Sequence, residues 1–429
     1  MTSVNSVLAA LAIILIDLFG RAGLDKVLAL TGEPARVALW AQLQSVVELV
    51  GSVAISGVLQ GLTVLTTQAG NQRDERILLY DSLRLGLRAS VPIAILIAIG
   101  SPELAIWLSQ GRIPAGLFLL AALSGCLIVI PATLNAYWLG KHLQQRMLWL
   151  SMLTSSVLLV VAASTWFKAT LNQMVWIQLI LLALIGSTLW RYLHALKIDS
   201  ETPQERESCY RRLVKFVPVG LTIGILSPVS MLVIRGSLSG SLSWNDVGFL
   251  QALWRSTEWV TAIAAGVLSL IFLPRFSATH GSERFGREIM RAGLLVLVPA
   301  ALLLLLIFFN QRNMLAMLYD TRFVVSDQTA LLVLLGSWMR IASWVFLFGL
   351  FAAHRTRLIM AGEILSLPLY AFLLWFYADG MSLERAARLY LVSYIVYLGF
   401  NALALLFWSK AGSTKEVMPA NPQPHAKIS

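Results

Sequence analysis

The chain has 429 residues, of which 58% are hydrophobic and 13% charged, and its mean hydropathy is +0.75. A soluble globular domain carries roughly a quarter charged residues, so this composition excludes a soluble domain and indicates a membrane protein. The formal charge of +11 does not indicate nucleic-acid binding, because the basic residues lie between apolar stretches rather than in one patch.

Twelve apolar stretches follow one another along the chain, each about as long as a helix that crosses a bilayer. We therefore predict an all-α, polytopic membrane protein with about twelve transmembrane helices. The first stretch has no basic n-region and continues into charged residues, so we expect it to be retained rather than cleaved as a signal peptide. The stretches are 4–30, 38–66, 89–110, 114–140, 147–167, 173–195, 213–236, 245–273, 289–310, 328–353, 358–377 and 388–409.

The basic residues between these stretches indicate the orientation of the chain. Segments that hold most of the 33 Lys and Arg residues alternate with segments that hold few, and Arg235 is assigned to the edge of one of the latter. By the positive-inside rule the basic segments face the cytoplasm, so we predict that both termini are cytoplasmic. The basic segments are 69–88, 141–146, 191–215, 274–291, 354–357 and 410–429.

A polar stretch in the middle of the chain, 197–212, divides it into two halves of six predicted helices. We predict an N-terminal lobe (1–196), a cytoplasmic linker (197–212), a C-terminal lobe (213–409) and a polar, disordered cytoplasmic tail (410–429). Six helices return each half to the same side of the membrane. The two six-helix bundles are therefore expected to be parallel repeats about a pseudo-twofold axis along the membrane normal.

The repeat leaves only a faint trace in the sequence. Glu48 and Glu258 lie 210 positions apart, and Pro92 and Pro299 lie 207 apart. These offsets agree with two related halves or arise by coincidence.

The stretch 213–236 contains two prolines and two glycines within eleven residues. Each proline removes an intrahelical hydrogen bond, so a kink or break is expected. The kink is either static or a hinge that bends as the two halves move. The residues are Pro218, Gly220, Gly224 and Pro228.

The first stretch carries a stripe of charges. Asp17, Arg21 and Asp25 are spaced by four residues and so share one helix face, with Lys26 beside it. A charged side chain at the bilayer centre costs about 3 kcal/mol on insertion scales, so such residues face a bundle interior or a watery cavity. The stripe either neutralises itself or lines a cavity, and both alternatives stay open.

Charges also occur within the C-terminal half. Arg255 and Glu258 are three residues apart and therefore face the same side of their helix, where they form either a structural ion pair or part of a site. Arg340 is the only charge between Gln328 and Ala353, so it needs an anion from another helix or from a ligand. Basic residues in both halves suggest a cavity that receives something negatively charged.

Aromatic residues lie on or near the same helices. Aromatic faces suit sugar rings, although packing and interfacial anchoring are their commoner uses. The residues are Trp40, Trp254, Trp259, Trp338 and Trp344.

Catalytic motifs are absent from the sequence: it has no Walker loop, no nucleophile elbow and no His-Glu-x-x-His helix. The predicted non-cytoplasmic loops are short, which counts against an enzyme that polymerises or ligates glycans there. We predict a transporter that uses no cofactor and no metal.

Several stretches occur in an order that is more specific than any one of them. Residues 243–277, SWNDVGFLQALWRSTEWVTAIAAGVLSLIFLPRFS, contain Val-Gly-x-x-Gln, a Ser-x-acid step and a helix ending in Leu-Pro-x-x-Ser. LYDTRF (318–323), GSWMRIASWVF (336–346), AAHRTRLIMAGEI (352–364) and YLVSYIVY (390–397) follow, while GRAGLDKVLAL (20–30) and GVLQGLTVLTTQ (57–68) fit more loosely. Together they resemble the Wzx family of lipid-linked oligosaccharide flippases. That family lies within the superfamily of multidrug and toxic-compound exporters and the peptidoglycan lipid flippase.

The resemblance implies two six-helix bundles around a central cavity that opens alternately to either side of a bacterial inner membrane. It implies a cargo of undecaprenyl-pyrophosphate-linked oligosaccharide, moved from the cytoplasmic to the periplasmic leaflet with H⁺ or Na⁺ as the coupling ion. A polysaccharide polymerase and a chain-length regulator are the implied protein partners. The polymer served is left open among O-antigen, enterobacterial common antigen, the lipopolysaccharide-linked and capsular glycans, and exopolysaccharide.

Residue by residue, the resemblance reaches Lys26, Gln251, Glu258, Pro274 and Arg340. The chain departs from the family pattern at Ser337, where an acid is frequent, and at Val64, where a lysine is frequent. We predict two sets of site residues. The substrate-binding set is Arg21, Lys26, Gln251, Arg255 and Arg340, and the ion-coupling set is Glu258, Asp17, Asp25 and Glu48.

Two other functions stay open. A cation-coupled drug exporter of the same fold would prefer an anionic cavity, so the net charge that faces the cavity discriminates between exporter and flippase. A membrane glycan polymerase or ligase would turn over lipid-linked sugar.

Overall fold

The computed structural model describes residues 4–54, 58–68, 71–141, 143–195, 210–214, 217–282, 284–353 and 355–412. Over these residues the chain is helical and contains no strand, which confirms the predicted fold class. Most of the predicted linker, 197–212, and nearly all of the predicted tail, 410–429, lie outside the described residues. The predicted boundaries of the lobes therefore stay predictions.

The N-terminal half contains eight described helices. Apolar side chains let each helix pack in the bundle and face the bilayer. A helix suits this environment because its backbone hydrogen bonds are made within the helix. The helices are α1 (Val4–Thr31), α2 (Pro34–Ala54), α3 (Gln60–Gln68), α4 (Gln72–Ile99), α5 (Ser101–Ser109), α6 (Ala115–Gly140), α7 (Gln144–Trp166) and α8 (Leu171–Ala195).

The C-terminal half follows the same plan. Its first long helix pair is joined by a tight turn, and Ser243 caps the second helix in a capping box with Asp246. The helices are α9 (Val217–Ser241), α10 (Trp244–Val267), a π-helical segment (Leu268–Phe272), α11 (Leu273–Thr279), α12 (Arg284–Phe309), α13 (Gln311–Leu318), α14 (Asp327–Ala352), α15 (Thr356–Ile364), α16 (Leu367–Phe376) and α17 (Leu383–Gly412).

The predicted start of one transmembrane helix lies too far along the chain. The stretch predicted at 89–110 is the second part of α4 together with α5, and α4 begins at Gln72. The first turn of α4 carries Asp74 and Glu75 and is capped by Asn71, whose side chain accepts from the Asp74 N–H at 2.8 Å. Hydropathy alone cannot detect such a polar helix start, so residues 72–88 were assigned to a cytoplasmic segment.

Nine helices in the described part of the chain are long and apolar enough to cross a membrane by length and composition. The helices α1, α2 and α9 are not among these nine. Four charged residues lie within ten positions of α1, from Asp17 to Lys26. Helices α1, α2 and α9 carry Arg21, Glu48 and Arg235 to the central cavity described below, as α10 and α14 carry Arg255, Glu258 and Arg340.

The two halves repeat the same packing. Helix α1 packs on α7, α2 on α6, and α6 on α8; correspondingly, α9 packs on α16, α10 on α14, and α14 on α17. The register is also retained, since α2 begins at Pro34 and α10 at Trp244, 210 positions apart. The break at Gly100 between α4 and α5 recurs at Asn310 between α12 and α13. The predicted parallel repeat is confirmed.

The proline-rich helix is continuous. Helix α9 runs through Pro228, whose missing N–H frees the carbonyl four residues earlier, at Gly224. The Ser52 hydroxyl of α2 donates to that carbonyl. A side chain from the opposite half thus replaces the lost hydrogen bond, and the predicted break is a proline inside an unbroken helix.

The halves meet closely beside two short turns, 32–33 and 242–243. The Ala35 N–H donates to the side-chain oxygen of Asn245 at 3.0 Å, and these residues occupy equivalent positions in the repeat, 210 apart. A Cβ atom at Gly248 would lie 2.2 Å from the Pro34 carbonyl oxygen, so only glycine allows this approach. Among the described residues, Lys26, Gln110 and Arg322 also make hydrogen bonds between the halves near these turns, and we call this part of the molecule the closed end.

Candidate functional site

One cavity lies within the N-terminal half, and a second lies where the two halves face each other. The N-lobe pocket, of about 270 Å³, is walled by α1, α2, α6, α7 and α8, with Arg255 at its edge. The central pocket, of about 140 Å³, lies between the halves and is walled mainly by α1, α2, α9, α10 and α14. Arg21, Glu48 and Arg255 line both pockets, so the two cavities share a charged wall.

Arg255 joins two carboxylates from different halves. Its Nε lies 3.2 Å from Asp25 Oδ2 on α1, and its Nη1 lies 2.6 Å from Glu258 Oε2 one turn further along α10. The side chains of Arg255 and Asp25 are 16% and 6% exposed. The contact expected between Arg255 and Glu258 is present, and Asp25 makes it a three-membered network that ties α1 to α10.

The charged stripe of α1 does not neutralise itself. Arg21 pairs with Glu48 on α2 at 3.4 Å, and Asp17 accepts a hydrogen bond from Ser155 on α7 at 3.2 Å. Together with Asp25, which meets Arg255, each charge of the stripe contacts a different helix. The hydrogen bonds and ion pairs of the stripe are therefore made with other helices, and all three residues line the N-lobe pocket.

Arg235 is buried at the centre of the molecule, which corrects its assignment to a loop edge. The residue is 4% exposed; its Nε donates to Gln251 Oε1 at 3.0 Å, and its Nη1 donates to Ser45 Oγ at 2.7 Å and to the Ala41 carbonyl at 3.2 Å. Gln251 thus holds Arg235 in position. Arg235 is the repeat equivalent of Asp25, and Ser45 that of Arg255, each 210 positions apart.

Arg340 lies between aromatic rings rather than in an ion pair. Its guanidinium carbon is 4.8 Å from the centre of the Trp344 ring and 5.8 Å from that of Tyr394. Within the described part of the chain, no carboxylate lies within 4 Å of Arg340 or of Arg235. Stacking on aromatic faces stabilises a guanidinium while leaving its N–H groups available.

Lys26 is not brought together with the other predicted binding residues. Its Nζ donates to the carbonyls of Ala316, at 3.2 Å, and Tyr319, at 2.8 Å, beside the end of α13. In the opposite sense, Arg322 Nη2 donates to the carbonyls of Ala29, at 2.7 Å, and Gly32, at 3.0 Å, beside the end of α1. Each half therefore supplies a cation to the carboxyl end of a helix in the other half, where the helix dipole is negative.

The charges are divided unevenly between the two pockets. Four arginines and two glutamates line the central pocket: Arg21, Arg235, Arg255, Arg340, Glu48 and Glu258. Three carboxylates and two arginines line the N-lobe pocket: Asp17, Asp25, Glu48, Arg21 and Arg255. The central pocket is thus suited to an anion, and the N-lobe pocket to a cation or proton.

Two residues that line cavities were not among the predicted site residues: Arg235 in the central pocket and Glu363 in a cavity of the C-terminal half. Arg235 could have been recognised through the 210-residue offset, which pairs it with Asp25. Glu363 lies in a cavity of the C-terminal half beside Arg340, and it is the lone acid within the predicted stretch 358–377. A lone acid in a predicted membrane helix is itself a signal of a functional position.

Metal ligands do not cluster in the described residues, where no group of three or more His, Cys, Asp or Glu side chains is placed to hold a metal ion. In the two cavities Asp25, Glu48 and Glu258 pair with arginines, and Asp17 accepts a hydrogen bond from Ser155.

Curated proteins with detectable similarity are lipid flippases. The chain is 21% identical over 199 residues to the lipid III flippase of Escherichia coli strain K12, and a Shigella flexneri protein of the same name matches equally. The match covers 46% of the chain and 48% of each relative, so it spans about half the length of either protein. No protein-family model matches the chain.

Solved structures resemble the whole chain. An inward-facing multidrug resistance MATE family transporter of the MOP superfamily has a TM-score of 0.71 and 11% identity, covering 95% of this chain and 99% of that one. The lipid II flippase MurJ in an inward closed conformation has a TM-score of 0.63 and 13% identity, covering 96% and 90%. Identities this low establish the fold alone.

These similar proteins are named as transporters and flippases. The chain is a polytopic membrane protein with the two-lobed helical fold of MOP-superfamily transporters.

Proposed function

We propose that the chain is an alternating-access flippase for an undecaprenyl-pyrophosphate-linked oligosaccharide, which it moves from the cytoplasmic to the periplasmic leaflet for surface polysaccharide biosynthesis. The observation that carries the proposal is the convergence of four arginines, from α1, α9, α10 and α14, on the central pocket. The relatives named lipid III flippase and lipid II flippase support a lipid-linked cargo.

The arginines divide into two pairs with different roles. Arg21 and Arg255 are held by carboxylates, whereas Arg235 and Arg340 carry charges that no described carboxylate neutralises within 4 Å. A pyrophosphate offers several anionic oxygens, and guanidinium groups bind such oxygens through paired, charge-assisted hydrogen bonds. Such a ligand would neutralise charges that are otherwise costly at this depth.

The lipid tail of the cargo has a route to the bilayer between α1 and α10. A small cavity of about 10 Å³ marks this place, lined by Arg21, Arg255 and Glu258, and we infer that it widens when cargo enters. The rings of Phe19 and Trp259 meet edge to face across the same gap, 5.1 Å apart, and Phe19 is 62% exposed. We infer that the headgroup enters the central pocket while the tail remains in the membrane beside these rings.

The coupling ion, H⁺ or Na⁺, fits the N-lobe pocket. Of its carboxylates, Glu48 also lines the central pocket, whereas Asp17 and Asp25 line the N-lobe pocket only. A ligand that draws Arg255 toward the central pocket would leave Asp25 and Glu258 without their partner. Cargo and ion would then compete for one network, which links their binding reciprocally.

A second function, export of cationic drugs, is favoured by one observation. The N-lobe pocket is the larger of the two and carries more carboxylates than arginines. An organic cation would suit it, whereas it would be repelled by the central pocket.

Export of surface glycan by variant cells tests the two functions. In cells that depend on this protein, Arg340→Ala should abolish surface glycan while the protein still accumulates in the membrane. Arg340→Lys should rescue export only in part, because lysine lacks the planar fork of donors. The matched control is Arg312→Ala, whose side chain is 77% exposed, and which should export normally. Full export of glycan by Arg340→Ala cells, together with loss of resistance to cationic dyes in Asp17→Asn cells, would favour the drug exporter, because Asp17 lines the N-lobe pocket.

A further inference from the structure

A third cavity lies within the C-terminal half, next to the central pocket, and the proposed function gives it no role. This C-lobe chamber, of about 240 Å³, is walled by α9, α14, α15, α16 and α17. It shares Ser227, Arg340 and Leu367 with the central pocket, so Arg340 stands at the junction of the two. The volume falls below the ~300–1,000 Å³ typical of pockets for drug-sized ligands, which restricts the occupant to a small group.

Aromatic rings form one side of the chamber. Trp344 and Tyr394 lie on either side of the Arg340 guanidinium. Tyr394 is in turn braced by Tyr390, with ring centres 4.8 Å apart, and by Tyr397, at 6.1 Å. Tyr394 is 1% exposed, whereas Trp344 is partly exposed, so Trp344 is the ring of this group that presents an apolar face, at little further cost in conformational entropy. Such faces suit the C–H side of a pyranose ring.

A single carboxylate provides the strongest acceptor on the chamber wall. Glu363 Oε1 accepts a hydrogen bond from the Tyr397 hydroxyl at 2.8 Å, which fixes the orientation of the carboxylate. Its second oxygen, Oε2, has no hydrogen-bond partner among the described residues and is not sealed from the chamber. A carboxylate oxygen accepts sugar hydroxyls in short, strong hydrogen bonds.

We propose that the C-lobe chamber binds one neutral sugar ring of the cargo, stacked on Trp344 and hydrogen-bonded through its hydroxyls to Glu363. This inference rests on the proposed function, since it places the sugar beside a pyrophosphate in the central pocket. The sugar ring enters the chamber past Arg340, and the same arginine binds the pyrophosphate in the central pocket. A uronic acid is disfavoured, because its carboxylate would face Glu363 while Arg340 is already engaged.

Binding to the purified full-length protein in lipid nanodiscs tests the inference. The probes are undecaprenyl pyrophosphate without sugar, the same lipid carrying one N-acetylhexosamine, and the same lipid carrying one glucuronic acid. We expect the neutral-sugar lipid to bind about tenfold more tightly than the sugar-free lipid, and the glucuronic acid lipid to show no such gain.

Variants locate the effect in the chamber. Glu363→Gln should remove the preference for the neutral sugar while changing the affinity for the sugar-free lipid less than about twofold. Tyr397→Phe keeps the packing but releases the carboxylate, and it should reduce the same preference if Glu363→Gln fails to fold. Glu103→Gln, on the exposed side of α5, is the matched control and should behave as wild type.

The outcomes separate the inference from the function on which it rests. Equal binding of the sugar-free and neutral-sugar lipids by wild type, or an intact preference in Glu363→Gln, would overturn the sugar chamber alone. A protein that binds none of the three pyrophosphate lipids would overturn the proposed function and the chamber with it.

Discussion

Lys26 and Arg322 exchange helix caps across the two halves of the molecule. Lys26 of α1 donates to carbonyls beside the end of α13, and Arg322 donates to carbonyls beside the end of α1. Arg322 is oriented by Asp320, with its Nε 3.0 Å from Asp320 Oδ1, and these hydrogen bonds hold the pKa of Asp320 below its ordinary value. Both caps lie at the closed end, so both must break if the halves separate there.

Removal of the two caps should therefore shift the molecule toward a state that is open at that end. Each set of hydrogen bonds is worth about 1 kcal/mol, so Lys26→Gln with Arg322→Gln should change the equilibrium about 30-fold. Spin labels at Glu33→Cys and Thr321→Cys, in a background without Cys126 and Cys209, report the separation. The double variant should show a longer distance population that wild type lacks.

A matched control for this measurement is Arg312→Gln, a change of an exposed arginine in the same half. It should leave the distance distribution as in wild type. If the double variant and the control give the same distribution, the caps do not hold the closed end.

Loss of Arg255 should destabilise the protein far more than loss of Arg21. Arg255→Ala leaves Asp25 buried without its cation, and breaking such a buried pair costs about 3–5 kcal/mol. Arg21 and Glu48 are about half exposed, at 46% and 47%, so Arg21→Ala should cost at most about 1 kcal/mol. Thermal unfolding in detergent measures both, and equal losses would contradict a network centred on Arg255.

Glu258→Gln separates an ion-coupling role from a structural one. The substitution retains the shape of the side chain and removes its charge, so cargo binding should survive. In proteoliposomes we expect flipping to lose its response to an imposed pH gradient. An unchanged response would mean that Glu258 is not the coupling residue, and Asp17, Asp25 and Glu48 would then be the candidates.

The predicted orientation can be measured with one native cysteine. In a Cys126→Ala background, Cys209 should react with an impermeant maleimide only in inside-out vesicles or permeabilised cells. A cysteine introduced at the exposed Asp379 should react in intact spheroplasts. Labelling of Cys209 in intact spheroplasts would reverse the orientation and with it the direction of the proposed transport.

The helices could be predicted from the sequence because a helix that crosses a bilayer needs a long apolar stretch, and hydropathy detects such stretches. It failed at the start of α4, where the helix leaves the apolar layer and is capped by Asn71. It also assigned Arg235 to a loop edge, since a charge near the end of an apolar stretch has the same local pattern whether it faces water or a buried cavity.

The partners of the site residues could be predicted only where they lie on one helix. The spacing of Arg255 and Glu258 gave their contact directly. The contacts of Asp25 with Arg255 and of Arg235 with Ser45 join residues about 200 positions apart, and they depend on how the halves pack. For the same reason the sequence placed Lys26 with the binding residues, whereas its ammonium lies among backbone carbonyls of the other half.

The most direct test of the account is the transfer of an undecaprenyl-pyrophosphate-linked oligosaccharide between leaflets of proteoliposomes that contain only this protein. We expect wild type and Arg312→Ala to move the lipid well above the rate in protein-free liposomes. Arg235→Ala and Arg340→Ala should fall to that background rate although they reconstitute normally. Transfer by wild type no faster than in protein-free liposomes, or undiminished transfer by both arginine variants, would contradict a flippase whose central arginines bind the pyrophosphate.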